Sequence, residues 1–264
     1  MLSGDLEVIH CLPKAPARPT PLLFVHGAYA GAWQWADDFL PYFAQQGWSS
    51  YALSLSGHGA SRGRAHLDIL SIENYVDDVR EVAAGLGARP VLIGHSMGGM
   101  VVQKFLEVED VPAVVLMSSV PPTGLISSTL GMFMNTPNVL LDLNRIMGGG
   151  LPHLATVREA LFHLPVDGDR LQELFLRFQP ESMRAVWDMT FFNLPNRARM
   201  YRPPMLVLGA QYDRIIPAEQ VRHTGESYGV PVEILPDTGH AMMLESNWEI
   251  GAARIAAWLN ERGL

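Results

Sequence analysis

Residues 91–100 read Val91-Leu92-Ile93-Gly94-His95-Ser96-Met97-Gly98-Gly99-Met100, an apolar run followed by a serine between glycines. The apolar part is typical of a buried strand that ends at Gly94, and a helix-compatible segment starts directly after Ser96. Small residues two before and two after the serine permit the sharp turn that would join this strand to this helix. The pattern therefore predicts a strained turn that presents the Ser96 hydroxyl, a candidate nucleophile, at the carboxyl end of a sheet.

Short apolar runs alternate with helix-compatible stretches along most of the chain. The runs that predict strands cover residues 22–25, 50–53, 91–93, 113–117, 205–208 and 232–235. Helices are expected near 36–46, 72–86, 97–108, 217–228 and 247–261. Nearly continuous apolar strands indicate a parallel sheet that is covered on both faces. We therefore predict an α/β fold with a doubly wound, mostly parallel sheet, to which residues 6–12 add an antiparallel edge strand.

One long segment lacks the strand pattern. Between about residues 121 and 204, Leu171, Leu174, Phe175 and Phe178 follow helical spacing, and Asp167 or Asp169 could cap that helix. The segment is bracketed by prolines at 121, 122, 203 and 204. We expect residues 1–120 and 205–264 to form the core and residues 121–204 to form an inserted helical cap.

Composition limits the classes of partner. The 264-residue chain carries a net charge of −8 and has no basic cluster, which argues against a nucleic-acid partner. Cys11 is the single cysteine, so an internal disulfide is excluded. The acidic N-terminal residues do not resemble a signal peptide, and no apolar run approaches the ~20 residues of a membrane span. We expect a cytoplasmic protein that handles a small molecule, and the oligomeric state stays open.

A serine hydroxyl needs a base and an acid before it becomes a nucleophile. His240 lies in a loop between the last predicted strand and the terminal helix, and Asp213 follows the strand at 205–208. The chain order Ser96, Asp213, His240 is the order expected for a triad on such a sheet. As alternatives, His240 is a surface histidine and Asp213 only caps the helix after Pro217.

The chain offers other candidate acids, and the chemistry also requires oxyanion donors. Asp237 is the reserve acid, and Glu219 and Glu245 are weaker candidates. An oxyanion hole requires two donors, which we predict to be the backbone N–H groups of Ala28 and Met97. In the same loop, Gly27 allows close approach to the substrate, and His26 is expected to bond the loop backbone.

These motifs together resemble the α/β-hydrolase superfamily, in its serine esterase and lysophospholipase-like branch. The matching pieces are His26-Gly27, Gly57-His58-Gly59-Ala60-Ser61, Gly94 to Gly99, Asp213 and Gly239-His240. Ser54 departs from the pattern, because many relatives carry an Asp there, and we expect this to affect loop anchoring. We interpret His58 as a turn residue.

Two branches of the superfamily are disfavoured by single residues. The loop at 27–33 resembles that of plant methylesterases and hydroxynitrile lyases, but the lyases carry a Lys after the catalytic His, where this chain has Ala241. The haloalkane dehalogenases use an Asp nucleophile, where this chain has Ser96.

The resemblance implies a serine hydrolase that cleaves carboxylic esters of small or medium-chain hydrophobic acids through an acyl-enzyme, without cofactor or metal. The candidate pocket residues are apolar or aromatic: Tyr29, Met132, Phe133, Met134, Met183, Trp187, Met189, Phe191 and Phe192. Each could instead pack on the core. Three related activities stay open, those of an acyl-homoserine lactonase, a perhydrolase and a C–C bond hydrolase. A receptor-like protein that binds a small hydrophobic ligand without turnover is a further alternative.

Overall fold

The computed structural model describes residues 5–14, 16–126, 138, 141–142, 145, 150 and 153–264. These residues include a seven-stranded sheet in the order β1-β3-β2-β4-β5-β6-β7. The strands are β1 Val8–Cys11, β2 Leu22–Val25, β3 Ser50–Leu53, β4 Val91–His95, β5 Val114–Met117, β6 Met205–Ala210 and β7 Val232–Leu235. The pairing of β1 with β3 is antiparallel and all other pairings are parallel, which confirms the predicted fold class.

Helices connect the strands. Their bounds are α1 Trp33–Ala36, α2 Phe39–Gln45, α3 Ile72–Gly85, α4 Met97–Phe105, α5 Leu154–Leu161, α6 Gly168–Arg177, α7 Met183–Trp187, α8 Ala218–Tyr228 and α9 Glu249–Glu261. A 3₁₀ segment covers Arg64–Ile69 and a π-helical turn covers Asp188–Phe192. The helix predicted near 36–46 corresponds to α2, which starts at Phe39 and ends at Gln45, and the short helix α1 precedes it. Pro41 is the third residue of α2, in the first turn, where the missing N–H costs no hydrogen bond within the helix.

Both faces of the sheet are buried, as the apolar strands predicted. In β2, Leu22 and Phe24 point to the face that also holds Trp35 and Leu259. The intervening Leu23 and Val25 belong to the opposite cluster, beneath α3 and α4. Period-two alternation in a strand covered on both faces accounts for this division.

The connection between β5 and β6 contains α5, α6, α7 and the π-helical turn. We call residues 121–204 the inserted segment. The Asp167 side chain caps α6 by accepting hydrogen bonds from the Asp169 and Arg170 N–H groups at 3.0 and 3.3 Å. Leu171 and Leu174 of α6 are buried, as their spacing predicted. In the described part of the chain, no helix combines the length and hydropathy needed to span a membrane.

Candidate active site

Ser96 occupies the turn between β4 and α4 in a strained backbone conformation. Its φ of 53° and ψ of −117° lie outside the regions that non-glycine residues favour. The Ser96 N–H donates to the Met117 carbonyl at 3.0 Å, and the Ser96 carbonyl accepts from the N–H groups of Gly99 and Val120 at 3.0 and 3.1 Å. These bonds on both sides of the residue hold the turn in place.

The glycines around Ser96 are required by close backbone contacts. A Cβ atom on Gly94 would lie 2.5 Å from the Gly98 carbonyl oxygen, and one on Gly98 would lie 2.5 Å from the His26 carbonyl oxygen. Such separations are far below van der Waals contact. The small residues therefore let α4 start directly against β4 and against the loop after β2.

Asp213 and His240 meet at the carboxyl end of the sheet. His240 Nδ1 lies 2.8 Å from Asp213 Oδ2, and both side chains are almost fully buried. The other carboxylate oxygen of Asp213 accepts hydrogen bonds from the Ile215 and Ile216 N–H groups at 2.9 and 2.8 Å. Because the carboxylate only accepts, Nδ1 of neutral His240 must carry the proton, which leaves Nε2 free to act as a base.

The loop that carries His240 packs against the turn that carries Ser96. His95, the neighbour of Ser96, lies with Nε2 3.0 Å from the His240 carbonyl oxygen. The two imidazole rings are 4.7 Å apart between centroids. The loop of His240 thus contacts the residue that precedes Ser96, although His240 and Ser96 are far apart in sequence.

The loop after β2 adjoins the same turn. A Cβ atom on Gly27 would lie 3.1 Å from the Ser96 Cβ atom, so the backbone of this loop runs directly beside the serine. The next residue, Ala28, is half-buried, and its N–H has no hydrogen-bond partner among the described residues. Met97 is the first residue of α4, where a backbone N–H has no acceptor within the helix. Both predicted oxyanion donors therefore lie next to Ser96.

His26 holds the loop after β2 from the core side. Its Nδ1 lies 2.8 Å from the Gly27 carbonyl oxygen, and its Nε2 accepts the Leu55 N–H at 3.0 Å. These bonds require the neutral ring protonated on Nδ1. Burial, followed by the nearby His58 ring, lowers the pKa of His26 to about 3, in line with its expected structural role.

The rival carboxylates contact other groups. Asp237 is exposed, and its backbone contacts Gln211 and Asn247. Glu219 lies in the first turn of α8. Glu245 is buried, and it accepts the N–H of Gly239 at 2.9 Å, next to His240 in the chain. Asp213 is thus the carboxylate that is hydrogen-bonded to the His240 ring, and it also accepts the backbone N–H groups of Ile215 and Ile216 before α8.

The candidate pocket residues are spread over several environments. Tyr29 and Met183 are half-buried, while Trp187 and Phe191 are about half exposed and stack at 5.9 Å between centroids. Met189 is buried, Phe192 is exposed, and Met132, Phe133 and Met134 lie outside the described residues.

A polar cavity of about 230 Å³ adjoins Asp213. Its lining residues are Arg158, Glu159, Phe162, His163, Tyr212, Asp213 and Arg214. The described residues contain no cluster of His, Cys, Asp and Glu that could hold a metal ion.

Two features near the site were missed or only partly foreseen from sequence. His58 is not simply a turn residue, because it is buried with Nε2 3.2 Å from the Glu181 carboxylate of the inserted segment. Ser54 anchors the loop after β2 by accepting the Ala32 N–H at 2.9 Å, and its own hydroxyl donates to Glu7 at 2.5 Å. Glu7 thus supplies a carboxylate next to Ser54.

Comparison with known proteins assigns the chain to a family. Residues 22–253 match the sequence profile of the alpha/beta hydrolase family, so the chain belongs to that family. It is 23% identical over 239 residues to a pyrethroid hydrolase of Sphingobium wenxiniae, which covers 82% of this chain and 79% of the relative. It is 32% identical over 85 residues to methylesterase 3 of Arabidopsis thaliana, or 31% of this chain and 32% of the relative.

A solved structure gives the same fold. The malate-bound thermophilic esterase from Thermogutta terrifontis superposes with a TM-score of 0.72 at 19% identity, over 97% of this chain and 94% of that chain. At this identity the likeness extends to the fold alone. Together with the family match and the curated relatives, it describes an esterase-like α/β hydrolase.

Proposed function

We propose that this protein is a serine carboxylic-ester hydrolase with Ser96, His240 and Asp213 as its catalytic triad. The observation that carries the proposal is the 2.8 Å hydrogen bond between buried His240 and Asp213, in a loop packed against the strained turn at Ser96. A strained serine, a base with a free Nε2 and a buried acid support nucleophilic catalysis. The names of the two relatives, a hydrolase and a methylesterase, support ester substrates.

The proposed reaction proceeds through an acyl-enzyme. The Ser96 Oγ atom attacks the ester carbonyl while His240 Nε2 removes the hydroxyl proton, and Asp213 stabilises the resulting imidazolium. The oxyanion of the tetrahedral intermediate accepts the N–H groups of Ala28 and Met97, and loss of one such donor typically costs about 3–4 kcal/mol. His240 then protonates the departing alcohol, and the acyl group stays on Ser96.

Deacylation reuses the same groups. His240 removes a proton from water as the water attacks the acyl-Ser96 carbonyl, and the same two N–H groups stabilise the second oxyanion. His240 returns the proton to Ser96, and the carboxylic acid leaves. No step requires a metal or an organic cofactor.

In this proposal the inserted segment acts as a cap and selects small or medium-chain hydrophobic acyl groups. The half-buried Tyr29 and Met183 and the half-exposed aromatic pair Trp187 and Phe191 supply apolar surface near that segment. Apolar surface of this kind favours hydrophobic acyl chains over charged substrates, because contact between the acyl chain and these side chains removes the apolar area of both from water.

The test is a panel of p-nitrophenyl esters from acetate to decanoate, measured with the wild-type protein and with Ser96→Ala. We expect turnover that is highest for short or medium chains and that Ser96→Ala abolishes. Absence of turnover on any ester, thioester or lactone by the folded protein would contradict the proposal.

A further inference from the structure

A buried carboxylate of the inserted segment reaches the oxyanion loop. Glu181 lies between α6 and α7, and its side chain is fully buried. One of its oxygens accepts the Tyr75 hydroxyl and the Ser182 N–H, both at 2.7 Å. The other lies 3.2 Å from His58 Nε2 and accepts the Tyr29 N–H at 3.3 Å. Three hydrogen-bond donors and the neighbouring His58 ring therefore fix the position of this carboxylate.

Electrostatics keep the carboxylate charged. Burial alone would raise the pKa of Glu181, but the His58 charge and the hydrogen bonds from His58, Tyr75 and Ser182 lower it overall. Burial likewise opposes protonation of His58, but the Glu181 charge and hydrogen bond, with a bond to the Ser56 carbonyl, raise its pKa overall. Each partner therefore stabilises the ionised form of the other.

The Tyr29 backbone needs such support. Its φ of 64° is in the left-handed region, which is unfavourable for a tyrosine. Glu181 accepts the Tyr29 N–H, and the Gln179 N–H donates to the Tyr29 carbonyl at 2.9 Å. The inserted segment therefore bonds both backbone polar groups of Tyr29. On the other side of Ala28, His26 bonds the Gly27 carbonyl at 2.8 Å. Ala28 is thus held between one residue fixed by the core and one fixed by the inserted segment.

We propose that Glu181 is a positioning residue of the oxyanion hole, which fixes the Tyr29 backbone and thereby aims the Ala28 N–H at the developing oxyanion. This inference rests on the proposed function. It also gives one residue of the inserted segment, Glu181, a role in catalysis in addition to the proposed role of that segment in substrate selection. Because the donor acts most strongly in the transition state, its misplacement lowers kcat and leaves KM nearly unchanged.

The test variant is Glu181→Met, which keeps the length of the side chain and removes both acceptor oxygens. For p-nitrophenyl acetate we expect kcat to fall about 10- to 100-fold, the range for a catalytic group displaced by up to an ångström, with KM within about threefold of wild type. The rate of Ser96 labelling by a fluorophosphonate should fall by a similar factor, because the phosphoryl oxygen occupies the same hole. Circular dichroism verifies that the variant is folded.

The matched control is Asp188→Leu, which removes another buried carboxylate of the inserted segment. Asp188 accepts the Ile72 N–H of the core at 3.2 Å and the Arg184 side chain at 2.8 Å, and both partners lie outside the oxyanion loop. We expect this variant to lose thermal stability but to keep kcat within about threefold. An equal loss of kcat in both variants would overturn the proposal, because a loosened segment would then be sufficient.

Further outcomes separate this inference from the proposed function. Ester turnover that depends on Ser96 but is unchanged in folded Glu181→Met overturns the role of Glu181 alone, whereas turnover that does not depend on Ser96 overturns both. If Glu181→Met fails to fold, Tyr75→Phe decides, since it removes only one donor to the carboxylate. A fall in kcat of threefold or more at constant KM then supports the proposal, and unchanged kcat overturns it.

Discussion

Replacing Asp213 by Asn should abolish most of the activity without disturbing the fold. In the protein, one Asp213 oxygen accepts the N–H groups of Ile215 and Ile216, and the other contacts His240 Nδ1. The two backbone bonds will hold the Asn carbonyl oxygen in the first position, so the amide NH₂ must face His240. Nδ1 then has to accept a hydrogen bond, the ring proton moves to Nε2, and the base can no longer take the Ser96 proton.

The expected loss follows from the wrong tautomer. The equivalent change in a serine protease triad lowers kcat about 10⁴-fold, which corresponds to about 5 kcal/mol of transition-state stabilisation. Steady-state hydrolysis of p-nitrophenyl acetate measures it, and the thermal unfolding midpoint should stay close to wild type because volume and backbone bonds are kept. Asp237→Asn is the control, since Asp237 is exposed, and its kcat should be unchanged. A folded Asp213→Asn within tenfold of wild type, or a large loss in Asp237→Asn, would refute the reasoning.

Two further predictions concern packing and pH. Gly98→Ala should lower the free energy of unfolding by about 1–3 kcal/mol, because the new Cβ would lie 2.5 Å from the His26 carbonyl oxygen. Gly168→Ala, whose Cβ meets no atom within 4 Å, is the control in the same urea titration, and an equal effect of both changes would contradict the packing explanation. Because the pKa of His26 is about 3 in the folded protein against 6.5 ordinarily, the unfolded chain takes up a proton first as the pH falls. The contribution of neutral His26 to the free energy of unfolding is therefore complete above pH 6.5 and is lost as the pH falls toward 3, by about 5 kcal/mol in total. A His26 ring signal in NMR that titrates near 6.5 in the folded protein would contradict this prediction.

The sheet could be predicted because its signals are local. Each of the six strands predicted in the core is an apolar run short enough for a strand, and the edge strand expected at residues 6–12 corresponds to β1 Val8–Cys11. The helix predicted near 36–46 corresponds to α2, but the short helix α1 before it was not predicted, since four residues are too few to show a helical period.

The candidate site was partly predictable for a similar reason. Ser96, Asp213 and His240 each follow a strand of a parallel sheet, so their chain positions alone bring them to one edge. Whether Asp213 or Asp237 contacts His240 depends on loop conformation, which the sequence does not encode by a simple pattern. The structure separates the two, since Asp213 is buried on the His240 ring and Asp237 is exposed.

The contact between His58 and Glu181 could not be predicted. Glu181 lies in the inserted segment, in a polar stretch without a recognisable motif, and its partner lies in a loop of the core. Only the packing of that segment onto the core brings the two side chains together. Long-range ion pairs of this kind leave no periodic signal in a single sequence.

The most direct measurement of the central claim is covalent labelling of Ser96. Wild-type protein treated with a fluorophosphonate should gain one adduct by intact-mass spectrometry, peptide mapping should place it on Ser96, and ester turnover should disappear in parallel. Ser96→Ala should take up no label and show no turnover above background while remaining folded. Labelling of Ser96→Ala at the wild-type rate, or turnover within a few-fold of wild type, would contradict the assignment of Ser96 as the nucleophile.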